Sequence, residues 1–177
     1  MDHITCAFTG HRPKSFPWKD NETDPGCILL KETLAAQISA LEERGVTEFL
    51  SGMAQGVDLW AAEIVLDLKK KNPVLHLYCI LPCEGQEEAW PMSEQERYRS
   101  ILQRADEIIY VNREYTTDCM LVRNRYLVEH SSVLLAVYNG TYRSGTGMTV
   151  RYAQKLGRKV IIIDPVSKSI SREKVES

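Results

Sequence analysis

Ser51-Gly52-Met53-Ala54-Gln55-Gly56-Val57-Asp58 joins a short apolar run, Glu48-Phe49-Leu50, to an apolar-periodic segment carrying Ala61, Ala62, Ile64, Val65 and Leu68. Such a run followed by helical periodicity reads as a strand-to-helix junction. Glycines at the junction let the backbone turn tightly and let a ligand approach closely. The first N–H groups of the following helix have no partner inside it and point outward as anion donors. Two readings stand on this stretch alone. One is a phosphate cradle built from Ser51, Gly52, Met53 and Gly56, with Asp58 in the first helical turn. The other is an ordinary tight turn, which glycines also make.

Outward from that junction, strands and helices alternate. Ile4 to Thr9 reads as a buried first strand, ended by Gly10-His11-Arg12-Pro13, and the polar segment Lys14 to Thr23 reads as a loop. Asp24 followed by Pro25 is an N-cap with a first-turn proline, and Leu30, Leu34, Ile38 and Leu41 recur at helical spacing as far as Gly45. Thr47 to Leu50 is the second strand, and the helix after Asp58 stops at Asn72-Pro73. Val74 to Leu81 is nearly all apolar, as for a strand buried on both faces. Ser93 with Glu96 predicts a capping box for a helix that buries Tyr98, Ile101, Leu102 and Ala105. Further strands are predicted at Glu107 to Val111, Val133 to Val137 and Lys159 to Asp164, with helices over Asp118 to Glu129 and from Thr146 to Leu156.

This order predicts an α/β, doubly wound, mainly parallel sheet with helices on both faces. Residues 1–165 form one domain and residues 166–177 a polar, flexible tail. In such sheets ligands bind beyond the carboxyl ends of the strands, near the topological switch point. Thr9 to Arg12, Ser51 to Asp58, Pro82 to Gln86 and Asn139 to Gly147 all fall on that edge, and their convergence says more than any one of them.

The chain has 177 residues, 44% hydrophobic and 26% charged, with a net charge of −2. That suits one well-filled core and argues against a strongly basic face for non-specific nucleic-acid binding. The start lacks a basic region followed by an apolar signal core, and no apolar run reaches membrane-spanning length, so a cytoplasmic protein off the membrane is expected. Cys6, Cys27, Cys79, Cys83 and Cys119 form an odd, scattered set that reads as reduced thiols packing the core. Neither a metal site nor a cofactor motif is recognisable, and there is no G-x-S-x-G elbow, P-loop or G-x-G-x-x-G fingerprint.

Thr9, Gly10, His11 and Arg12 place a hydroxyl, a flexible backbone and a cation at the end of the central strand. There Arg12 can pair bidentately with phosphate and His11 can donate to it. Ser144, Gly145, Thr146 and Gly147, after Arg143, open a helix with hydroxyls and unpaired N–H groups, the same phosphate logic. Arg123 and Asn124 lie on a helix whose start faces the same edge; a solvated face is their other reading. Asp58 either reads a ribose or base or complements the helix dipole. Trp18 and Trp90 either stack on a base or pack.

Thr9-Gly10-His11-Arg12, Ser51 to Asp58, Arg123-Asn124 and the Ser144-Gly145-Thr146 loop, together with Pro82, Gln86 and Trp90, resemble the YpsA-like family. That family belongs to the SLOG superfamily, which includes the SMF/DprA and LOG proteins. The likeness runs over residues 4 to 165 and implies a Rossmann-like domain that binds a nucleotide or nucleotide-derived ligand such as ADP-ribose, NAD or a mononucleotide. It implies no established reaction for this branch. DprA-like relatives share the Ser-Gly-Met-Ala loop and bind single-stranded DNA. LOG-like relatives hydrolyse cytokinin nucleoside monophosphates with an arginine and the glutamate of P-G-G-x-G-T-x-x-E. Here that motif shrinks to Gly145-Thr146, Tyr142-Arg143 replace its double glycine and Thr149 stands at the glutamate position. Arg123 matches the arginine and is the one candidate catalytic residue. The expectation is a small-molecule sensor or regulatory protein, a homo-oligomer being plausible, with LOG-like hydrolysis of an N-glycosidic or phosphate bond and DprA-like DNA binding as alternatives.

Overall fold

A computed structural model describes residues 4–173, with the side chain of residue 173 outside the description. The elements run β1 (Ile4–Gly10), α1 (Pro25–Glu43), β2 (Val46–Ser51), α2 (Val57–Lys71), β3 (His76–Leu81), α3 (Met92–Arg104), β4 (Glu107–Tyr110), α4 (Cys119–Glu129), β5 (Val133–Val137), α5 (Gly145–Lys155), β6 (Lys159–Ile163) and β7 (Ile170–Glu173). They build one sheet of seven strands in the order β4-β3-β2-β1-β5-β6-β7, parallel except for the last pair. The doubly wound architecture expected from the alternation is present, and so is the Rossmann-like fold that the resemblance implied. β1 is central, with β2 on one side and β5 on the other, so the winding reverses at its carboxyl end.

The period of two along each strand sorts side chains into two cores. Cys6 and Phe8 of β1 face a cluster shared with Leu30, Leu34 and Ile38 of α1, with α2, and with Tyr98 and Ile101 of α3. Ala7, one residue out of phase, joins Leu127 and Val128 of α4 and Val150 and Ala153 of α5 on the opposite face. Each fully buried leucine or isoleucine contributes roughly 1.5–3 kcal/mol of transfer free energy.

Asp24 caps α1 as expected, accepting from the Gly26 N–H at 2.8 Å with Pro25 in the first turn. α3 departs from expectation. Its N-cap is Pro91 with no side-chain cap bond, so the Ser93–Glu96 capping box does not form. The helix starts two residues earlier than a Ser93 cap would set it, and Glu94 ion-pairs with Arg97 at 3.5 Å.

The predicted loop from Lys14 to Thr23 is more structured than its polarity suggests. It opens with a 3-10 turn over Pro13–Ser15 and buries Phe16 and Trp18, stacked at 5.0 Å, with Phe16 also stacked on Trp60 at 5.7 Å. Glu22 anchors its far end by accepting from Arg97 at 2.7 Å, and Arg97 Nε reaches Glu63 at 2.7 Å. The segment after Val166, expected as a flexible tail, instead carries β7, which pairs antiparallel with β6. The physical reason is the unpaired edge of β6, which the returning chain covers. Residues 174–177 of the expected tail lie outside the described residues. Among the described residues no helix is long and apolar enough to cross a membrane.

Candidate functional site

Beyond the carboxyl ends of β1 and β5 lies a cleft of about 390 Å³. Thr9 and Gly10 at the end of β1, His11 and Arg12 just after it, Ala54 and Asp58 around the start of α2, and Arg123 and Asn124 on α4 form its walls. Ser144, Gly145 and Thr146 at the start of α5 close it, with Lys14, Ser15 and Arg143 at the margin. The topology places it at the switch point, where the loops after two adjacent strands diverge to opposite faces.

Arg123 sits at the floor, 3% exposed. Its Nη1 donates to the Gly52 carbonyl, Nε donates to Asn124 Oδ1 at 2.9 Å, and Nη2 lies 3.5 Å from Met120 Sδ. A Cβ on Gly52 would stand 2.7 Å from Arg123 Nη1, so the glycine is what lets the guanidinium cross here. Gln86 supports the same carbonyl from the other side, donating from Nε2 at 3.3 Å. Asp58 is 7% exposed, and its Oδ2 accepts from the Ala54 N–H at 3.2 Å. Burial pushes the Asp58 carboxyl above the usual carboxylate range, against the opposing pull of Arg123, the Ala54 N–H and Arg12. Burial likewise lowers the Arg123 guanidinium, with Asp58 resisting the shift. The two are electrostatic partners within one floor, although no direct ion pair joins them among the described residues.

The stretch Ser51 to Asp58 is a tight turn that spends most of its polar atoms on itself. Ser51 Oγ donates to the Asp58 carbonyl at 2.8 Å and accepts from the Met53 N–H at 3.2 Å. Met53 is fully buried with φ 59°, and Gly56 takes φ 90° as the α2 cap. A Cβ on Gly56 would meet the His11 carbonyl at 3.0 Å, and Val57 packs directly against Gly10. Ser51, Gly52 and Met53 therefore stand behind the cleft wall rather than in it. Gly56 opens instead into a neighbouring cavity of about 630 Å³, which shares Arg12 and Lys14 with the cleft.

At α5, Ser144 is the N-cap. Its Oγ accepts from the Gly147 N–H at 3.0 Å and donates to the Thr141 carbonyl at 2.8 Å. Gly147 is buried, with its N–H already used; Ser144, Gly145 and Thr146 are the members of this turn that line the cleft. Thr149, at the position of the glutamate in the LOG-type motif, is buried and donates its hydroxyl to the Gly145 carbonyl at 2.9 Å. Asp58 is thus the one carboxylate among the described residues that line the cleft.

His11 is 6% exposed and ties the two switch-point loops together, its Nε2 accepting from the Asn139 N–H at 3.1 Å. Burial lowers its pKa, so the neutral ring carries its proton on Nδ1. Trp18 and Trp90 pack instead of lining the cleft, Trp18 on Phe16 and Trp90 edge-on to Tyr98 at 5.3 Å. Lys14 and Ser15 belong to the cleft although the sequence placed them in an undifferentiated loop. Pro13, which starts the 3-10 turn, was the available signal. The side chains of Arg12, Lys14 and Arg143 make no hydrogen bond or ion pair among the described residues, which leaves three cations around the cleft without an internal partner. No group of three or more His, Cys, Asp or Glu among the described residues is placed to hold a metal ion.

The model of the YspA SLOG family matches residues 6–165. A UPF0398 protein of Bacillus thuringiensis is 31% identical over 153 residues, covering 85% of this chain and 83% of that protein. One from Bacillus cereus (strain AH187) matches to the same extent. A UPF0398 protein of Halalkalibacterium halodurans is 37% identical over 116 residues, 64% of this chain and 61% of its own length. The switch-point cleft and the matched residues coincide, and the chain belongs to the YpsA family of SLOG proteins.

Proposed function

We propose that the protein binds a nucleotide or nucleotide-derived ligand in this cleft and acts as a cytoplasmic sensor or regulatory module. One observation carries the reading. Arg12, Lys14, Arg123 and Arg143 converge on a cleft whose single carboxylate among the described residues is Asp58, in a chain of net charge −2. Local cationic excess of this kind, next to the start of α5, suits phosphate oxygens. Arg12 and Arg143 clamp the phosphate from the rim, and the Gly145 and Thr146 N–H groups receive it. Arg123 supplies buried positive charge, and Asp58 accepts from a sugar hydroxyl. Ser51, Gly52, Met53, Gly56 and Gly147 shape and brace these groups from behind. Calorimetry against ADP-ribose, NAD, AMP and cyclic nucleotides tests the reading, which fails if none binds at millimolar concentration.

A second reading, hydrolysis of an N-glycosidic or phosphate bond, draws on the raised pKa of Asp58 beside Arg123 in the same cleft. Incubation with mononucleotides and dinucleotides followed by product chromatography decides between the two. Unchanged nucleotides would remove the enzyme reading. Single-stranded DNA binding is weaker, because the cations line a cleft and do not form an open groove that tracks a strand.

A further inference from the structure

Between α4 and α5 a third cavity, about 270 Å³, opens beside the cationic cleft. Its walls come from helical spacing: Met120, Leu121 and Asn124 on α4 face Met148, Thr149 and Tyr152 on α5. The surface is apolar and polarisable, since two thioethers and a leucine supply much of it. The polar groups of α5 here are already engaged. The Thr149 hydroxyl donates to the Gly145 carbonyl, and the Tyr152 hydroxyl donates to Glu129 at 2.6 Å. Arg125 also borders the cavity, its guanidinium 5.9 Å from the Tyr152 ring centroid, and Asn124 supplies a directed amide. Its Oδ1 accepts from Arg123, a group that can only donate, so the amide orientation is fixed and Nδ2 is left as a donor.

The cavity is not separate from the cleft. Asn124 and Gly145 line both, and a Cβ on Gly145 would meet nothing within 4 Å, so the passage between them is open. The cavity on the other side of the cleft is larger, but Lys19, Asp20, Glu22 and Glu94 give it a charged lining unsuited to a flat apolar ring.

We propose that the α4–α5 groove seats the nucleobase of the ligand, held against Met120 and Met148, with Asn124 Nδ2 donating to a ring nitrogen or carbonyl acceptor. This rests on the reading of the adjoining cleft as a phosphate site. A flat aromatic ring replaces water over an apolar surface, and the Asn124 amide donor fixes its orientation. Met148 is 49% exposed, so its replacement leaves the core intact.

The test is calorimetric titration of AMP, GMP, UMP, ribose 5-phosphate and inorganic phosphate into wild type, Met148→Gln and Met148→Leu, with thermal unfolding as the folding control. At least one nucleotide binds wild type more tightly than ribose 5-phosphate does. Met148→Gln weakens that nucleotide roughly tenfold, the scale of a lost apolar contact in a pocket, and leaves ribose 5-phosphate unchanged; Met148→Leu restores the nucleotide. If every nucleotide binds no tighter than ribose 5-phosphate, or if Met148→Gln weakens both alike, the groove assignment is overturned while the phosphate cleft stands. If no phosphate-bearing probe binds wild type, both are overturned.

Discussion

Gly52→Ala is the substitution that probes the floor of the site most directly. The added methyl would lie 2.7 Å from Arg123 Nη1, 2.8 Å from Cζ and 2.9 Å from Cδ. Gly52 has no positive φ, so an alanine backbone fits, and the three atoms its methyl would approach most closely all belong to Arg123. Arg123 is 3% exposed and cannot swing into water without giving up its bonds to the Gly52 carbonyl and Asn124. Displacing a charged hydrogen-bond donor from a buried acceptor costs on the order of 1.5–3 kcal/mol. Gly52→Ala is therefore expected to destabilise by about 2 kcal/mol, which for a domain of this size lowers Tm by about 4–8 °C. Arg123→Ala removes the same bonds and leaves the Gly52 carbonyl with Gln86, at about 2–4 kcal/mol. The decisive quantity is the double variant. With Arg123 truncated, the methyl at position 52 has room, so Gly52→Ala should add less than about 0.5 kcal/mol, a coupling of about 2 kcal/mol. Urea unfolding followed by tryptophan fluorescence measures all four corners of the cycle. Additive costs would refute the claim that Gly52 exists to admit Arg123.

Other consequences concern charge. Arg12→Ala and Arg143→Ala, singly, should weaken AMP or ADP-ribose about tenfold in calorimetry while shifting stability by less than about 0.5 kcal/mol, because neither side chain has an internal partner. Burial alone would raise the Glu22 carboxyl, but its bonds to Arg97 and Lys31 outweigh burial and hold it below its ordinary value of 4.5. Its folded pKa being depressed, its stabilisation is full above pH 4.5 and is lost as pH falls through the lower folded value. In Arg97→Met that acid-limb slope in urea unfolding should flatten, with a cost near neutrality of about 1–3 kcal/mol. Burial lowers His11 below its ordinary 6.5, so its contribution is present above pH 6.5 and declines as pH drops through the lower folded value. His11→Gln keeps an acceptor for the Asn139 N–H and should remove that part of the pH dependence; an unchanged midpoint-versus-pH curve would refute the assignment.

Residue order alone determined the layered α/β architecture and the approximate places of its first six strands. Period-two and period-3.6 patterns are local, and Asp24-Pro25, Gly45 and Asn72-Pro73 punctuate them with short-range chemistry. The same patterns put the Thr9–Arg12, Asp58 and Ser144–Thr146 segments on one sheet edge, because parallel strands all end there. Three features needed tertiary structure. The capping box at Ser93 failed because the chain entering α3 is already extended at Pro91, a geometry that two residue types cannot report. β7 formed because β6 presents an unpaired edge, visible only once the sheet order exists. Above all, the division of labour within Ser51–Asp58 was not local. Whether its glycines face a ligand or a neighbour depends on what approaches from elsewhere in the chain. The approaching groups are Arg123, 71 positions away, over Gly52, and the His11 carbonyl over Gly56. The stretch that set the fold thus builds the wall of the cleft. The stretch itself supplies Asp58, whereas the cations that line the cleft are brought there by the segment after β1, by α4 and by the loop into α5.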